Sequence, residues 1–231
     1  VRKPGSVDAA LRRSLRAAVS GDWLGAETWL ERIVEADTAD LDAYFALARL
    51  YREQGAIGRA IRMHQNLLLR TDLNRRQRAD ASLELARDFD AGGFQERAAA
   101  GYEEVLDAEP KNQEALSRLV VLLRDSHDYA RGLALSKRLR RMNREAADSA
   151  EKALLLAQAE SQNNAGDGDG ARASLKRCLR RDKTVGVAWS LLGEIDVERG
   201  KDARALDAWR RGVLADPTMG QKLYPKLSAG Y

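Results

Sequence analysis

The chain has 231 residues, of which 39 are Lys or Arg and 35 Asp or Glu, giving a formal charge of +4 with 44% hydrophobic and 32% charged residues. This composition is too rich in Leu and Ala for a disordered chain and too interrupted by charge to cross a membrane, since the longest strongly apolar run, Leu119 to Leu123, is far short of the about 20 residues a spanning helix needs. The single cysteine, Cys178, excludes an internal disulfide and a cysteine metal cage, and four prolines with 6% aromatics argue against an all-β fold.

In chain order, a Gly or polar turn is followed five residues on by a small residue and four further by a larger one. The series is Gly21-Ala26-Leu30, Gly55-Ala60-His64, Gly93-Ala98-Tyr102, a weaker copy with His127, Gly132 and Ser136, then Gly166-Ala171-Leu175 and Gly200-Ala205-Trp209. The small residues at 26, 60, 98, 132, 171 and 205 are therefore 34, 38, 34, 39 and 34 apart. A period of about 34 is the length of a tetratricopeptide repeat, two antiparallel helices per unit. Trp189, Leu192 and Gly193 supply the W-x-x-L-G of that motif, Ala205 follows in the second helix and Pro217 closes the repeat, as Pro110 does in the third. Small residues at the eighth and twentieth places let paired helices approach, and large ones fill the space between neighbours.

The expected architecture is all-α: one right-handed tetratricopeptide superhelix, an α-solenoid, over 1–231. Its six repeats fall near 7–40, 41–74, 79–112, 113–146, 152–185 and 186–219, with a partial helix over 220–231 that Pro225 interrupts. Extra residues at Arg75 to Arg78 and Ala147 to Glu151 lengthen a helix or a connecting loop. Beginning at Val1 rather than Met, the chain reads as a piece of a longer protein.

Motifs that invite chemistry have plainer readings. An EF-hand loop with its required glycine at Gly170 would start at Ala165 and end at Lys176, where carboxylates are needed, so Gly166 to Gly170 is read as a turn that needs positive φ. His64 and His127, the only histidines, show no zinc spacing; His64 reads as a hydrogen-bonded interior residue and Cys178 as a buried small hydrophobe. No Gly-x-Ser-x-Gly elbow or Walker sequence occurs, so the chain is read as non-enzymatic. Basic runs at Lys137 to Arg141 and Lys176 to Arg181 lie on second helices with Leu139, Cys178 and Leu179 facing inward. They are read as a solvated convex face, with RNA or anionic lipid as the alternative use of the same patch.

In the repeat pattern, the second, fifth, ninth, twelfth and thirteenth places of each first helix line the concave wall. Counting gives Asp42, Phe45, Arg49, Arg52 and Glu53, then Asp80, Leu83, Arg87 and Asp90, then Glu114, Ser117, Val121, Arg124 and Asp125. Later repeats turn acidic, offering Glu160, Asn163 and Asn164, then Ser190, Glu194 and Glu198. Because a guanidinium forks onto a carboxylate, the predicted partner-binding set is Asp42, Phe45, Arg49, Arg52, Asp80, Arg87, Asp90 and Arg124, holding an acidic protein segment. The alternative is that the arginines pair with Asp42, Asp80, Asp90 and Asp125 of adjacent helices.

The stretch Ala48-Arg49-Leu50-Tyr51-Arg52, Gly55, Arg59-Ala60-Ile61-Arg62-Met63-His64-Gln65, Leu73, Gln77-Arg78, Leu85, Arg87-Asp88, Gly93 and Arg97-Ala98 resembles the lipopolysaccharide assembly protein B (LapB) family, as does the insertion at Arg75 to Arg78. The resemblance implies a bacterial cytoplasmic repeat domain at the inner face of the inner membrane, hung from an N-terminal membrane helix and followed by a rubredoxin-like zinc module. It implies an adaptor that presents the deacetylase LpxC to the membrane protease FtsH. The family's metal ligands have no counterparts here, so no cofactor is expected. Two other readings stay open: a repeat module of another envelope, secretion or polysaccharide assembly, and a nucleic-acid binder using the convex face.

Overall fold

Turn residues decide where the helices break. Gly21, Gly55, Gly93, Gly166 and Gly200 hold φ between 66° and 80°, the left-handed region that a residue without Cβ enters freely. His127 takes the same place in the weaker repeat at φ 63°, held by its Nδ1 2.7 Å from the Tyr129 hydroxyl. After three of these turns an aspartate caps the next helix: Asp22, Asp128 and Asp167 accept from the amides of Gly25, Arg131 and Gly170.

The computed structural model describes residues 9, 12–14, 16, 17, 19–37 and 39–229, and no strand occurs among them. Residues 7, 8, 10, 11, 15, 18 and 38 of the first predicted repeat, and 230 and 231 of the cap, lie outside the described residues. The helices fall into two compact units, Val1–Ala115 and Leu116–Tyr231.

The first unit contains α1 (Trp23–Ala36), α2 (Leu41–Glu53), α3 (Ile57–Leu68), α4 (Arg75–Ala91), α5 (Gln95–Ala108) and the start of α6 (Gln113–Asp125). Ala26, Leu30, Ile33, Leu47, Tyr51 and Ala60 form one buried cluster. Ala48, Ala60, Ala86 and Ala98, at the predicted small places, are wholly buried. A Cβ on Gly101 would stand 2.9 Å from that of Ala86, so α4 and α5 touch backbone to backbone. The extra residues Arg75 to Arg78 lengthen α4 to 17 residues, against 13 in α2. A capping box between Asn74 and Gln77 starts that extension. Arg78 then donates to the carbonyls of Leu68 (2.9 Å) and Arg70 (2.8 Å), tying down the end of α3.

The second unit holds the rest of α6, then α7 (Tyr129–Leu139), α8 (Arg144–Asn164), α9 (Gly168–Arg181), α10 (Gly186–Glu198), α11 (Asp202–Ala215), a 3-10 turn (Pro217–Met219) and α12 (Gly220–Ser228). Leu154, Leu155, Leu175, Cys178 and Ile195 anchor its core. The second insertion likewise lies inside a helix, the 21-residue α8. Asp182 and Asp216, 34 residues apart, close α9 and α11 with the same turn: each accepts from the hydroxyl, at 2.6 Å, and the amide of the threonine two residues on. Lys152 donates to Asp182 at 2.8 Å, and with Thr184 it holds that carboxyl down to about 2. Pro225 does not interrupt α12, which runs through it to Ser228. The amide that Pro225 lacks would have met the Gln221 carbonyl, one bond of a nine-residue helix, whereas Leu223 is fully buried against Ala205 and Trp209.

Candidate functional site

Two buried carboxylates one turn apart on α4, Glu84 and Asp88, organise the first unit. A buried carboxylate is costly unless cations and hydrogen bonds meet it. Arg52 of α2 bridges the two, reaching Asp88 at 2.7 Å and Glu84 at 2.9 Å. Arg49, one turn earlier, reaches Glu84 at 3.4 Å. Arg87 bonds Glu84 on its own helix and forks onto Glu114, with Nε 2.6 Å from Oε1. His64 of α3 completes the cluster: Asp88 also accepts from Arg52, which leaves His64 Nδ1 the donor at 2.5 Å. His64 is fully buried, its ring tilted at 33° against that of Phe45, and its Nε2 has no hydrogen-bond partner among the described residues.

The electrostatics follow from this arrangement. Burial pushes the Glu84 carboxyl up, but the Arg52 hydrogen bond and the charges of Arg87, Arg52 and Arg49 outweigh it and hold the group below its ordinary value. Burial weakens Arg52, and its bonds to Asp88 and Glu84 more than restore it. The Glu114 hydrogen bond raises Arg87. Glu84, Arg52 and Arg87 therefore stay charged near neutrality. Arg52 and Arg87, with side chains 15% and 25% exposed, are committed to internal carboxylates, whereas Arg49 is 58% exposed with one long contact. Arg49 is the guanidinium that can turn to an incoming carboxylate.

Of the predicted set, Phe45, Arg49, Arg52 and Arg87 therefore gather around the α4 carboxylates. The arginine partners are Glu84, Asp88 and Glu114 rather than Asp42, Asp80 or Asp90. Asp42 and Asp80 are exposed on α2 and α4, and Asp90 faces the Tyr102 hydroxyl at 3.4 Å. Arg124 lies in the second unit, its Nε bonded to Asp125 at 2.8 Å. There Arg124, Asp125, Glu160 and Asn164 line a hollow of about 410 Å³, and Glu160, Asn163 and Asn164 line another of about 250 Å³. Glu194 is neutralised by Lys226 at 2.6 Å and Lys222 at 3.4 Å.

Counting exposed places passed over Glu84 and Asp88, which occupy the sixth and tenth places of their repeat and face inward. A charged residue at an interior place, two helices from an arginine at an outward one, was the available signal. The second unit also buries acids, but meets them with arginines from adjacent helices. Glu151, 3% exposed, takes Arg140 at 2.6 Å and Arg177 at 3.3 Å, and Asp196 takes Arg172 at 2.7 Å. Among the described residues no group of His, Cys, Asp and Glu is placed to hold a metal ion. Burial pushes the Cys178 thiol up, away from thiolate chemistry.

No family model matches the chain. Lipopolysaccharide assembly protein B of Escherichia coli strain K12 is 25% identical over 200 residues, 86% of this chain and 51% of that protein, so the chain spans about half the length of the curated relatives it matches. Among solved structures, a tetratricopeptide repeat protein of Parabacteroides merdae superposes with a TM-score of 0.58 at 16% identity, covering 98% of this chain and 99% of that one. YrrB, described as a tetratricopeptide protein with an unusual peptide-binding site, gives 0.56 at 18% identity over 85% of this chain and 97% of that one. The chain is a tetratricopeptide-repeat protein that resembles LapB.

Proposed function

We propose that this chain is the partner-binding repeat region of a LapB-like adaptor, a non-catalytic protein that presents an LpxC-type deacetylase to the membrane protease FtsH and thereby limits lipopolysaccharide synthesis. The observation that carries the reading is the alignment with E. coli LapB over 86% of the chain. In this reading Arg49, backed by Glu84, receives a carboxylate of the bound protein, with Phe45 beside it and Arg52 and Arg87 fixing the carboxylates behind. Such an adaptor works by effective concentration: holding client and protease together turns an encounter in solution into a local one, and no catalytic residue is required. A site at the cytoplasmic face of the inner membrane belongs to the same proposal.

Immobilised chain should retain purified LpxC and the soluble domain of FtsH, separately and together. Arg49→Glu should weaken capture of one of them by at least about tenfold, since a hydrogen bond to a charged group contributes about 1.5–3 kcal/mol. A folded chain that retains neither protein refutes the presentation reading.

A further inference from the structure

In the second unit, α9 and α11 leave between them an open groove of about 780 Å³. Its floor is apolar: Leu179, Leu192 and Ala208 are buried, and Trp189 is half-buried with its indole N–H donating to the Lys183 carbonyl at 2.9 Å. Its rim is cationic. Lys176 and Arg180 of α9, Lys183 of the connecting turn and Arg204 of α11 are all exposed and make no ion pair among the described residues. The two carboxylates in the groove are already engaged, Asp196 by Arg172 at 2.7 Å and Asp207 by Arg211 at 2.9 Å. Scattered surface cations are ordinary. Four unopposed ones around an apolar recess of ligand size, with Leu214 standing 83% exposed at the edge, form a surface with a complement.

We propose that this groove is a second docking site, taking an acidic segment of a partner protein that carries large apolar side chains. Carboxylates of the segment meet the forks of Arg180 and Arg204 and the ammonium groups of Lys176 and Lys183, while an apolar side chain settles over Leu192 beside Leu214. The groove favours a peptide over a nucleic acid, because base stacking needs an open aromatic face. The one aromatic residue lining it, Trp189, has the Arg211 guanidinium 5.5 Å from its ring centroid. It favours a peptide over a lipid surface, because the apolar floor is recessed and Leu214 is the sole large apolar lining residue that stands clear. The site is independent of Arg49 and of any particular client.

The test uses the full chain and a fluorescein-labelled peptide, acetyl-Glu-Asp-Leu-Phe-Glu-Asp-Leu-Glu-amide, read by anisotropy at about 50 and about 300 mM salt. Saturable binding that weakens with salt is expected. The double variant Arg180→Glu with Arg204→Glu should lose at least about tenfold in affinity, or about 1.4 kcal/mol. Peptides with Gln and Asn for the acids, or Ser for Leu and Phe, should each bind at least about tenfold more weakly. Both substituted arginines are exposed, so far-UV circular dichroism should match the parent chain. The proposal is overturned if the peptide does not bind, if the double variant binds it equally, or if the neutral peptide binds as well as the acidic one. It is equally overturned if an oligouridylate or phosphatidylglycerol vesicles bind through these arginines and the peptide does not.

Discussion

Asp88 answers for two buried donors at once, Arg52 and His64, so its loss should be felt far beyond one side chain. Asp88→Ala leaves the buried His64 imidazole without its carboxylate and strips Arg52 of one of its two, with Glu84 retained, and should cost about 3–5 kcal/mol, read by urea denaturation. Glu84 gives the pH dependence. Its folded carboxyl is held below the ordinary value, so the stabilisation it brings is complete above that value and is lost as pH falls through the folded one. The parent chain should therefore lose stability on acidification below the usual glutamate range, and Glu84→Gln should show a shallower loss from a lower plateau; equal slopes would mean the Arg52, Arg87 and Arg49 contacts do not tune this group. The repeat pattern alone places His64 in the interior. What it cannot supply is the acid His64 meets, because Asp88 lies 24 residues away and only the packing of α3 against α4 joins them. At the turn of the fourth repeat, His127 holds a left-handed φ that a β-branched residue tolerates poorly. His127→Val should cost about 1–2 kcal/mol in thermal unfolding, whereas His127→Gly should leave stability near the parent value.

At the scale of helices, the alanine and glycine ladder marks where chains cross closely, and that was readable because a small side chain is itself the cause of the approach. Gly193 is the sharpest case, since a Cβ there would run into the Trp209 indole, which donates to the Ser190 carbonyl at 3.2 Å. Gly193→Ala should destabilise by about 1–3 kcal/mol through overpacking. Ala98, wholly buried against the neighbouring helix, should not accept an arginine at all, and Ala98→Arg should abolish cooperative unfolding. The fate of the two insertions was less readable. Four or five added residues make about one helical turn or one loop with equal ease by length alone. The Asn74 and Gln77 capping box is the local cue that settles α4 as the longer helix, with Arg78 fastening it to the end of α3.

For the molecule as a whole, the period fixed the hairpins but not which outward arginines remain available, because that depends on carboxylates arriving from the next repeat. Arg52 and Arg87 count as groove residues by position, yet their charge is spent on Glu84, Asp88 and Glu114, and Arg49 alone of the three stands mostly in solvent. The basic segment Lys176 to Arg181 reads as a solvated face until α11 is set beside it, when Arg180 becomes the rim of a groove. A net charge of +4 carries no such detail. The adaptor reading concerns where a client sits, so hydrogen–deuterium exchange of the chain with and without saturating LpxC tests it most directly. The account predicts slowed exchange in peptides spanning α2 and α4, around Arg49 and Phe45. Unchanged exchange in both helices while LpxC is demonstrably bound would contradict it.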